Sequence, residues 1–302
     1  MVTSTHINNE ILIFDRSLIK RNRQRITANF SNHDFLFQWS KNQLSERLKD
    51  INRKFQTALH IGSRAPITAE HEKISSIITL DLPHKPVDNC TPYIQASEEF
   101  LPVAPKSMDL ILSNLNLHTV NDLPGALLQI RNTLKDDGLF MASIFGGETL
   151  HELRKVIADV ELSMLGGVSP RVAPFADKPQ MGDLLQRARL NLPIVDSEII
   201  TVTYDSVFKL LHDIRSMGES NTIIARNKTP LGKEFFMRLA KQYQEEFAEE
   251  DGRIVASFEI IFLHGWAPHE SQQKPLRPGS AENSLAEALG SKEVKTGEKA
   301  TP

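Results

Sequence analysis

A series of short apolar runs between residues 55 and 145, separated by helical patterns, constrains this fold more than any other feature of the sequence. The runs cover residues 55–62, 76–81, 93–96, 108–113 and 139–144. Apolar, β-branched runs of about 4–8 residues are typical of buried strands, and strands that alternate with helices are typical of a parallel sheet with right-handed crossovers. The sequence therefore predicts an α/β fold with a doubly wound, mostly parallel sheet.

Helical patterns precede, interrupt and follow the predicted strands. The clearest helix begins at Asn121 or Asp122 and ends before Gly138, because Pro124 suits a first turn and apolar residues recur on one face. Further helices are predicted at residues 33–48, 150–160, 181–188, 207–215 and 231–249, and further strands at residues 198–204 and 254–263. The last strand alternates weakly, and we expect it to lie antiparallel at the edge of the sheet.

The length and the tail composition predict the domain organisation. At ~100–200 residues per domain, the 302 residues allow one large domain or two small ones. The patterns predict an N-terminal helical cover over residues 1–54 and one sheet domain with C-terminal elements over residues 55–270. Residues 271–302 are rich in Lys, Pro, Gly, Ser, Ala and Glu, a composition that predicts a flexible tail.

Charge and cysteine usage narrow the classes of function. The chain has 35 Lys and Arg against 38 Asp and Glu, a net charge of −3, which gives no global attraction to nucleic acid or to an anionic membrane. The basic run at residues 20–25 lacks interleaved aromatic residues, so we interpret it as a solvated helix face or a protein-docking patch. The single cysteine, Cys90, predicts a reducing compartment. We expect a bacterial cytoplasmic protein with no transmembrane segment, secretory leader or metal site.

The predicted topology places a candidate ligand site. In an open parallel sheet, ligands bind beside the carboxyl ends of the strands. The residues at those ends are Gly62, Asp81, Ser97, Glu98, Ser113 and Asn114. Gly62 and Asp81 are 19 residues apart, close to the ~20 of a nucleotide-binding fingerprint in which the acid accepts the ribose hydroxyls. A glycine and an aspartate that end strands are also ordinary turn residues, so both interpretations stay open.

Six longer segments carry a resemblance to a known family. They are IFDRSLIKRNR at residues 13–23, SEEFLPVAPKSMDLILSNLNLHTVNDLPGALLQIRNTLKDDGLF at 97–140, GGETLHELR at 146–154, SPRVAPF at 169–175, MGESN at 217–221 and GWAPHESQQKPLRPGS at 265–280. The chain resembles class I S-adenosylmethionine-dependent methyltransferases, including the malonyl-carrier-protein methyltransferase of biotin synthesis. The last four segments resemble the mitochondrial complex I assembly factor 5 family and its alphaproteobacterial relatives in particular.

The resemblance implies a Rossmann-like methyltransferase sheet that binds S-adenosylmethionine at the six strand-end residues. It also implies a part in the assembly of respiratory complex I, through methyl transfer or protein arginine hydroxylation. The implied partner is an iron–sulfur subunit of complex I or a small-molecule acceptor, and the alternative compartment is the mitochondrial matrix or the inner-membrane periphery. Because methyl transfer depends mostly on positioning, we single out no catalytic residue.

Four positions depart from the pattern of this family. His60 stands where the first strand has an acid, Pro66 where its turn has a glycine, Ser97 where an acid precedes Glu98, and Thr119 where a tryptophan follows the histidine. Proline lacks the N–H and the backbone freedom that a cofactor-binding turn uses. We therefore expect weak cofactor binding, and the alternative function is a non-catalytic assembly chaperone that retains the fold.

Three further polar residues are candidates for contact with a substrate or partner. His118 follows the fourth strand, where an imidazole could serve as a general base at neutral pH. Glu219 and His269 lie in two of the family-specific segments. A structural histidine and ordinary loop caps explain the same residues equally well, and the sequence alone does not separate these interpretations.

Overall fold

The structure, a computed structural model, describes residues 12–68, 71–86, 91–273 and 288–291. Its packing divides the chain into two units, Met1–Pro268 and His269–Pro302. All the helices and strands named below belong to the first unit. The segments 274–287 and 292–302, which make up most of the predicted tail, lie outside the described residues. Within the described ranges, no helix is both long enough and apolar enough to cross a membrane.

The core of the first unit is a seven-stranded sheet. Its strands are β1 (Ala58–Ile61), β2 (Ile77–Asp81), β3 (Tyr93–Gln95), β4 (Met108–Asn114), β5 (Leu134–Phe145), β6 (Asn191–Tyr204) and β7 (Ile254–Trp266). Their order across the sheet is β3-β2-β1-β4-β5-β7-β6, with β1 to β5 parallel and β7 antiparallel to both β5 and β6. This arrangement confirms the predicted doubly wound, mostly parallel α/β fold.

Helices cover both faces of the sheet. In the described part of the chain they are α1 (Arg16–Ile26), α2 (Phe35–Lys49), α3 (Leu123–Thr133), α4 (His151–Leu165), α5 (Lys178–Arg187), α6 (Val207–Ser216) and α7 (Lys233–Phe247). Apolar side chains of α2, α4, α6 and α7 form the core on one face, and those of α3 and α5 form the core on the other. The sheet is therefore buried on both faces, which is why its parallel strands are continuous apolar runs.

Aspartate caps fix the starts of α1 and α3. The Asp15 carboxylate accepts a hydrogen bond from the backbone N–H of Leu18, and the Asp122 carboxylate accepts one from Gly125. Such caps satisfy backbone donors that have no partner within the helix. The cap at Asp122, followed by Pro124 in the first turn, confirms the predicted start of α3.

The last strand differs from its prediction in one respect. β7 is antiparallel as expected, but it lies between β5 and β6 rather than at the edge of the sheet. Nearly all its side chains over residues 254–263 are buried, whereas β6 exposes Leu192, Ile194 and Ile199. A strand with so continuous an apolar sequence is buried by neighbours on both sides. β6 is the edge strand instead.

The register of the parallel strands brings their carboxyl ends to the same level. Ile61 of β1 pairs with Leu80 of β2 and with Ser113 of β4, and Asp81 of β2 pairs with Gln95 of β3. We call this level the carboxyl end of the sheet. The six strand-end residues that the sequence predicts as a cofactor site all lie on the segments that meet there.

Candidate functional site

Gly62 ends β1 in a backbone conformation that favours glycine. Its φ is +101°, in the region that other residues rarely adopt. A Cβ at this position would lie 2.8 Å from Cγ of Asn116, two residues beyond the end of β4. A larger residue would be strained by its backbone and by this contact. The turn after β1 is therefore held closely against the segment that follows β4.

The Asp81 carboxylate, buried at the end of β2, accepts four hydrogen bonds. Oδ2 accepts from the backbone N–H (2.9 Å) and the hydroxyl (2.8 Å) of Ser63. Oδ1 accepts from the N–H of Leu82 (2.8 Å) and from Nη1 of Arg23 (2.8 Å). Burial alone would raise the pKa of Asp81, but Arg23 and Arg64 hold it below its usual value. The carboxylate is therefore ionised.

Arg23 of α1 bridges the ends of β2 and β3. Its Nη1 lies 2.8 Å from Oδ1 of Asp81 and 3.3 Å from Oε1 of Glu98, and its Nη2 donates to the carbonyl of Asn116 and to the hydroxyl of Thr119. Burial alone would lower the pKa of Arg23, but the two carboxylates raise it above its usual value. A charged guanidinium, only 1% exposed, is thus fixed over the carboxyl end of the sheet.

The interpretation of the basic run as a solvated face or docking patch is wrong for Arg23. α1 buries Ile19, Asn22, Arg23 and Ile26, whereas Lys20, Arg21 and Arg25 are exposed. Positions separated by three, four and seven residues share one helix face. The two isoleucines on that face are the signal in the sequence that could have identified Arg23 as buried.

Glu98 and Ser97 lie beside this bridge, beyond the end of β3. The buried Glu98 carboxylate accepts from Nη2 of Arg16 (2.5 Å) and from Nδ2 of Asn116 (3.3 Å), in addition to Arg23. The Ser97 hydroxyl accepts from the same Nη2 of Arg16 at 3.3 Å. α1 therefore contacts the carboxylates of this site through two arginines.

Ser113 and Asn114, at the end of β4, use their polar atoms to connect neighbouring segments. The Ser113 hydroxyl donates to the carbonyl of Ile61. Nδ2 of Asn114 donates to the carbonyls of Phe37 and Ala65, each at 3.0 Å. The structure thus brings both residues to the predicted place, where they hold the turn after β1 and the helix α2. Their contact with a cofactor stays a prediction.

Arg64, in the turn after β1, connects that turn to Glu219. Its Nη1 donates to Oε1 of Glu219 and to the carbonyl of Met217, and its Nη2 donates to the carbonyl of Leu115 at 3.0 Å. The guanidinium lies 4.7 Å from the centre of the Phe37 ring. Burial alone would raise the pKa of Glu219, but Arg64 and then His118 hold it well below its usual value. Glu219 is therefore an anion at every physiological pH.

His118 is the second partner of Glu219. Its Nε2 lies 3.1 Å from Oε2 of Glu219, and its ring packs edge-on against Phe145 (4.9 Å) and Phe175 (5.9 Å). Burial lowers the pKa of His118, although Glu219 opposes the shift. The imidazole is therefore neutral at pH 7, and because Glu219 can only accept, Nε2 carries the proton. Nδ1 is then a free acceptor.

A cavity of about 340 Å³ adjoins Glu219. Its apolar wall includes Phe145, Leu153, Ile157, Phe175, Phe235, Leu239 and Phe258, and its polar wall includes Thr119, Arg171, Glu219, Ser220, Asn221, Thr222 and Arg226. Two of the family-specific segments, 169–175 and 217–221, supply part of this lining. The volume and the largely apolar wall are typical of small-molecule or side-chain sites of about 300–1,000 Å³.

Several buried polar atoms near the carboxyl end of the sheet make no hydrogen bond with the described residues. They are Nδ2 of Asn22, Nε2 of His60, Oδ1 of Asn116 and Nδ1 of His118. Leaving a buried polar atom unpaired costs about 1–3 kcal/mol, so most such atoms in folded proteins pair with protein groups, water or a ligand. All four belong to the elements that surround Gly62, Asp81 and Glu98.

His60 replaces the acid that the family pattern has on the first strand. It is completely buried, and its Nδ1 donates to the carbonyl of Gly62 at 2.8 Å. Burial lowers the pKa of His60 to about 4, so the ring is neutral at pH 7. His60 and Pro66 are both buried, not exposed at the rim of a crevice.

We expect the lowered pKa of His60 to make the protein sensitive to acid. Because the unfolded chain binds this proton near pH 6.5 and the folded chain only near pH 4, stability falls as the pH drops through this window. This difference in pKa corresponds to a loss of about 3 kcal/mol in the free energy of unfolding across the window. His60→Asn, which keeps a donor for Gly62, should flatten the dependence of the urea unfolding free energy on pH. The exposed His151→Asn should not, and equal pH profiles for the two variants would contradict this assignment.

His269 belongs to the second unit. Its Nδ1 lies 2.7 Å from the Ser271 hydroxyl, as in a local turn. A role of His269 toward a substrate or partner stays a prediction. In the described ranges, no group of three or more His, Cys, Asp or Glu side chains is arranged to hold a metal ion.

The chain is similar in sequence to several known proteins. A family model described as a methyltransferase domain matches residues 61–142. The chain is 36% identical to the mitochondrial arginine-hydroxylase NDUFAF5 of Danio rerio, over 91% of this chain and 89% of that protein. It is 38% identical to the same protein of Mus musculus, over 95% of this chain and 87% of that protein. It is 28% identical to a malonyl-[acyl-carrier protein] O-methyltransferase of Methylovorus, over 85% of this chain and 90% of that protein.

A solved structure shares the fold. A candidate methyltransferase of Bacillus halodurans superimposes with a TM-score of 0.52 at 14% identity, over 76% of this chain and 100% of that one. At this identity the likeness shows the fold alone. Together with the sequence relatives, it confirms the resemblance that the six segments carry.

Proposed function

The chain belongs to the family of the arginine-hydroxylase NDUFAF5, and from that premise we propose that it binds S-adenosylmethionine at the carboxyl end of the sheet and modifies a group held in the adjoining cavity. One observation carries the proposal. The ionised carboxylates of Asp81 and Glu98 lie so close together at neighbouring strand ends that one nitrogen of Arg23 contacts both, at 2.8 and 3.3 Å.

The residues at this place suit the cofactor. Asp81 would accept hydrogen bonds from the ribose hydroxyls, and Glu98 would face the adenosine from the next strand. Gly62 lets the first turn lie close to Asn116, since no side chain fits between the two. Oδ1 of Asn116, buried and unpaired among the described residues, offers a further acceptor.

We propose that Glu219 and His118 present the substrate to the cofactor. Glu219 lines the cavity and is held ionised by Arg64, so it can accept a hydrogen bond from an N–H or O–H group of the substrate. S-adenosylmethionine, when bound, supplies an electrophilic methyl group. Methyl transfer to such a group releases one proton. Nδ1 of His118, whose ring packs against Phe145 and Phe175 of the cavity wall, is a buried acceptor with no partner among the described residues and would take up that proton.

We propose an arginine on an iron–sulfur subunit of respiratory complex I as the target, in the bacterial cytoplasm or the mitochondrial matrix. The names of the relatives and the family resemblance support it. The same names favour hydroxylation as the second candidate reaction. In that case dioxygen is the oxidant, an external reductant supplies two electrons and two protons are taken up. One oxygen atom enters a C–H bond and the other leaves as water.

The reaction is tested by mass spectrometry. The protein is incubated with S-adenosylmethionine carrying a labelled methyl group and with purified iron–sulfur subunits of complex I from the same organism. A labelled methyl group on an arginine peptide supports methyl transfer, and one added oxygen supports hydroxylation. If the client stays unmodified and calorimetry detects no cofactor binding, the proposal is contradicted. The non-catalytic assembly chaperone would then be the remaining function.

The variant Leu153→Trp should distinguish the role of the cavity from the role of the cofactor site. Leu153 lines the cavity from α4 and is 3% exposed, so the larger ring would fill space that a substrate needs. We expect Leu153→Trp to lower the rate of client modification at least tenfold while calorimetry shows unchanged cofactor affinity. Leu162→Trp, on the exposed side of the same helix, is the matched control. Full activity of Leu153→Trp would exclude the cavity as the substrate site.

A further inference from the structure

Few apolar contacts join α1 to the rest of the unit. They are a small cluster of Phe14, Ile19 and Ile223, with Leu82 and Ala173 packed against it and separate from the two main cores, and Ile26 at the end of the helix. The middle of its buried face is polar, with Asn22 and Arg23. An element with few buried apolar contacts opens at a low free-energy cost.

Asp81 has no acceptor capacity left while Arg23 is in place. A carboxylate offers about four lone-pair directions, and Asp81 already accepts four hydrogen bonds. Three of these come from Ser63 and Leu82, which adjoin the carboxyl end of the sheet. The fourth comes from α1. A ribose hydroxyl of a cofactor that bonds to Asp81 therefore needs the position of the Arg23 guanidinium.

We infer that α1 is a displaceable cover, and that its Arg23 competes with S-adenosylmethionine for the carboxylates of Asp81 and Glu98. The inference rests on the proposed function for the identity of the ligand. The closed form is the one in which Arg23 bridges the two strands. The open form binds the cofactor, so the observed affinity is the affinity of the open form multiplied by the fraction of molecules that are open.

This inference predicts a specific pattern of affinities. A variant that favours the open form raises the affinity for every ligand of the site by the same factor. Arg23→Gln should therefore bind S-adenosylmethionine and S-adenosylhomocysteine about tenfold more tightly than the natural protein, because it lacks the charge-assisted bonds from Arg23 to Asp81 and Glu98 and keeps only those of Arg16. Arg25→Gln, an exposed change on the same helix, should bind both as the natural protein does. Weaker binding by Arg23→Gln would overturn the inference and make Arg23 a direct cofactor contact.

Hydrogen exchange gives a readout that needs no ligand. The amides of α1 should exchange at least tenfold faster in Arg23→Gln than in Arg25→Gln. Equal exchange would show that Arg23 does not hold α1 closed. Fast exchange without binding of either ligand to any variant would instead refute the cofactor proposal and leave the mobile cover standing.

A disulfide that holds α1 in place tests whether the helix must move for ligands to bind, and it leaves Arg23 unchanged. Phe14 and Ile223 form an isolated antiparallel bridge flanked by the hydrogen bonds from Asp15 to Thr222 and from Ile224 to Ile13. Such a non-hydrogen-bonded pair has Cα atoms about 4.5 Å apart, within disulfide range. In Phe14→Cys/Ile223→Cys with Cys90→Ser, oxidation should weaken binding of both ligands at least tenfold, and reduction should restore it. Equal affinity of the oxidised and reduced forms would contradict a moving α1.

Discussion

Asp81→Asn is expected to weaken S-adenosylmethionine binding at least tenfold. The substitution keeps the shape of the side chain but replaces one acceptor oxygen with a donor and removes the charge, so the charge-assisted bond that a ribose hydroxyl makes in place of Arg23 is lost, at ~1.5–3 kcal/mol. Release of Arg23 from its partner favours opening of α1 and offsets part of this loss. Glu98 still holds Arg23, so the offset is the smaller effect.

Calorimetry on folded protein is the measurement, and Asp109→Asn is the matched control. Asp109 lies at the opposite end of the parallel strands, where its carboxylate accepts from Thr57 and Lys135. Its variant tests the cost of losing a hydrogen-bonded carboxylate away from the site. Unchanged affinity in Asp81→Asn, or an equal loss in Asp109→Asn, would remove Asp81 from the cofactor site.

Arg64→Met is expected to cause the largest loss of stability, about 3–5 kcal/mol, because removing one partner of a buried ion pair leaves the other charge unpaired. The Glu219 carboxylate, which is only 16% exposed, would keep only the neutral His118, and the carbonyls of Leu115 and Met217 would lose their donor. Adding Glu219→Gln should recover part of the loss, since a neutral amide costs less to bury than an anion.

The urea unfolding free energy measures this prediction, and Arg47→Met is its control. Arg47 also pairs with two carboxylates, Asp196 and Glu198, and lies 3.9 Å from the centre of a phenylalanine ring. It is partly exposed, so its ion pairs are worth about 1 kcal/mol or less. A loss in Arg64→Met no greater than that in Arg47→Met, or a double variant less stable than either single one, would contradict the buried charge network.

The parallel core was predictable because each of its signals is local. The strand at residues 76–81 ends in an acid after a β-branched run, and α3 combines Asp122, Pro124 and a regular apolar face within a few residues. The topological rule for parallel sheets then places Gly62 and Asp81 at the same end without knowledge of any contact. The position of β7 was not predictable in this way, because it depends on pairing with β6, about 60 residues earlier in the chain.

The parts of the candidate site that the sequence did not predict are those that depend on contacts between residues far apart in the chain. An arginine in a basic run is usually exposed, and only the fold shows that Arg23 meets Asp81 and Glu98, which are 58 and 75 residues away. Glu219 was singled out by the resemblance of its segment, but its partner Arg64 was not. Neither the pairing nor the cavity walls contributed by α4 and α7 have a local signature.

Arg64 connects the proposed cofactor site to the cavity. Its backbone belongs to the turn that begins at Gly62, and its guanidinium donates to Glu219 in the cavity wall. A substrate that draws Glu219 toward itself therefore also moves the turn beneath the cofactor. Thermodynamic linkage requires reciprocity: whatever factor the client exerts on cofactor affinity, the cofactor exerts on client affinity. The coupling between the two ligands thus depends on a single side chain.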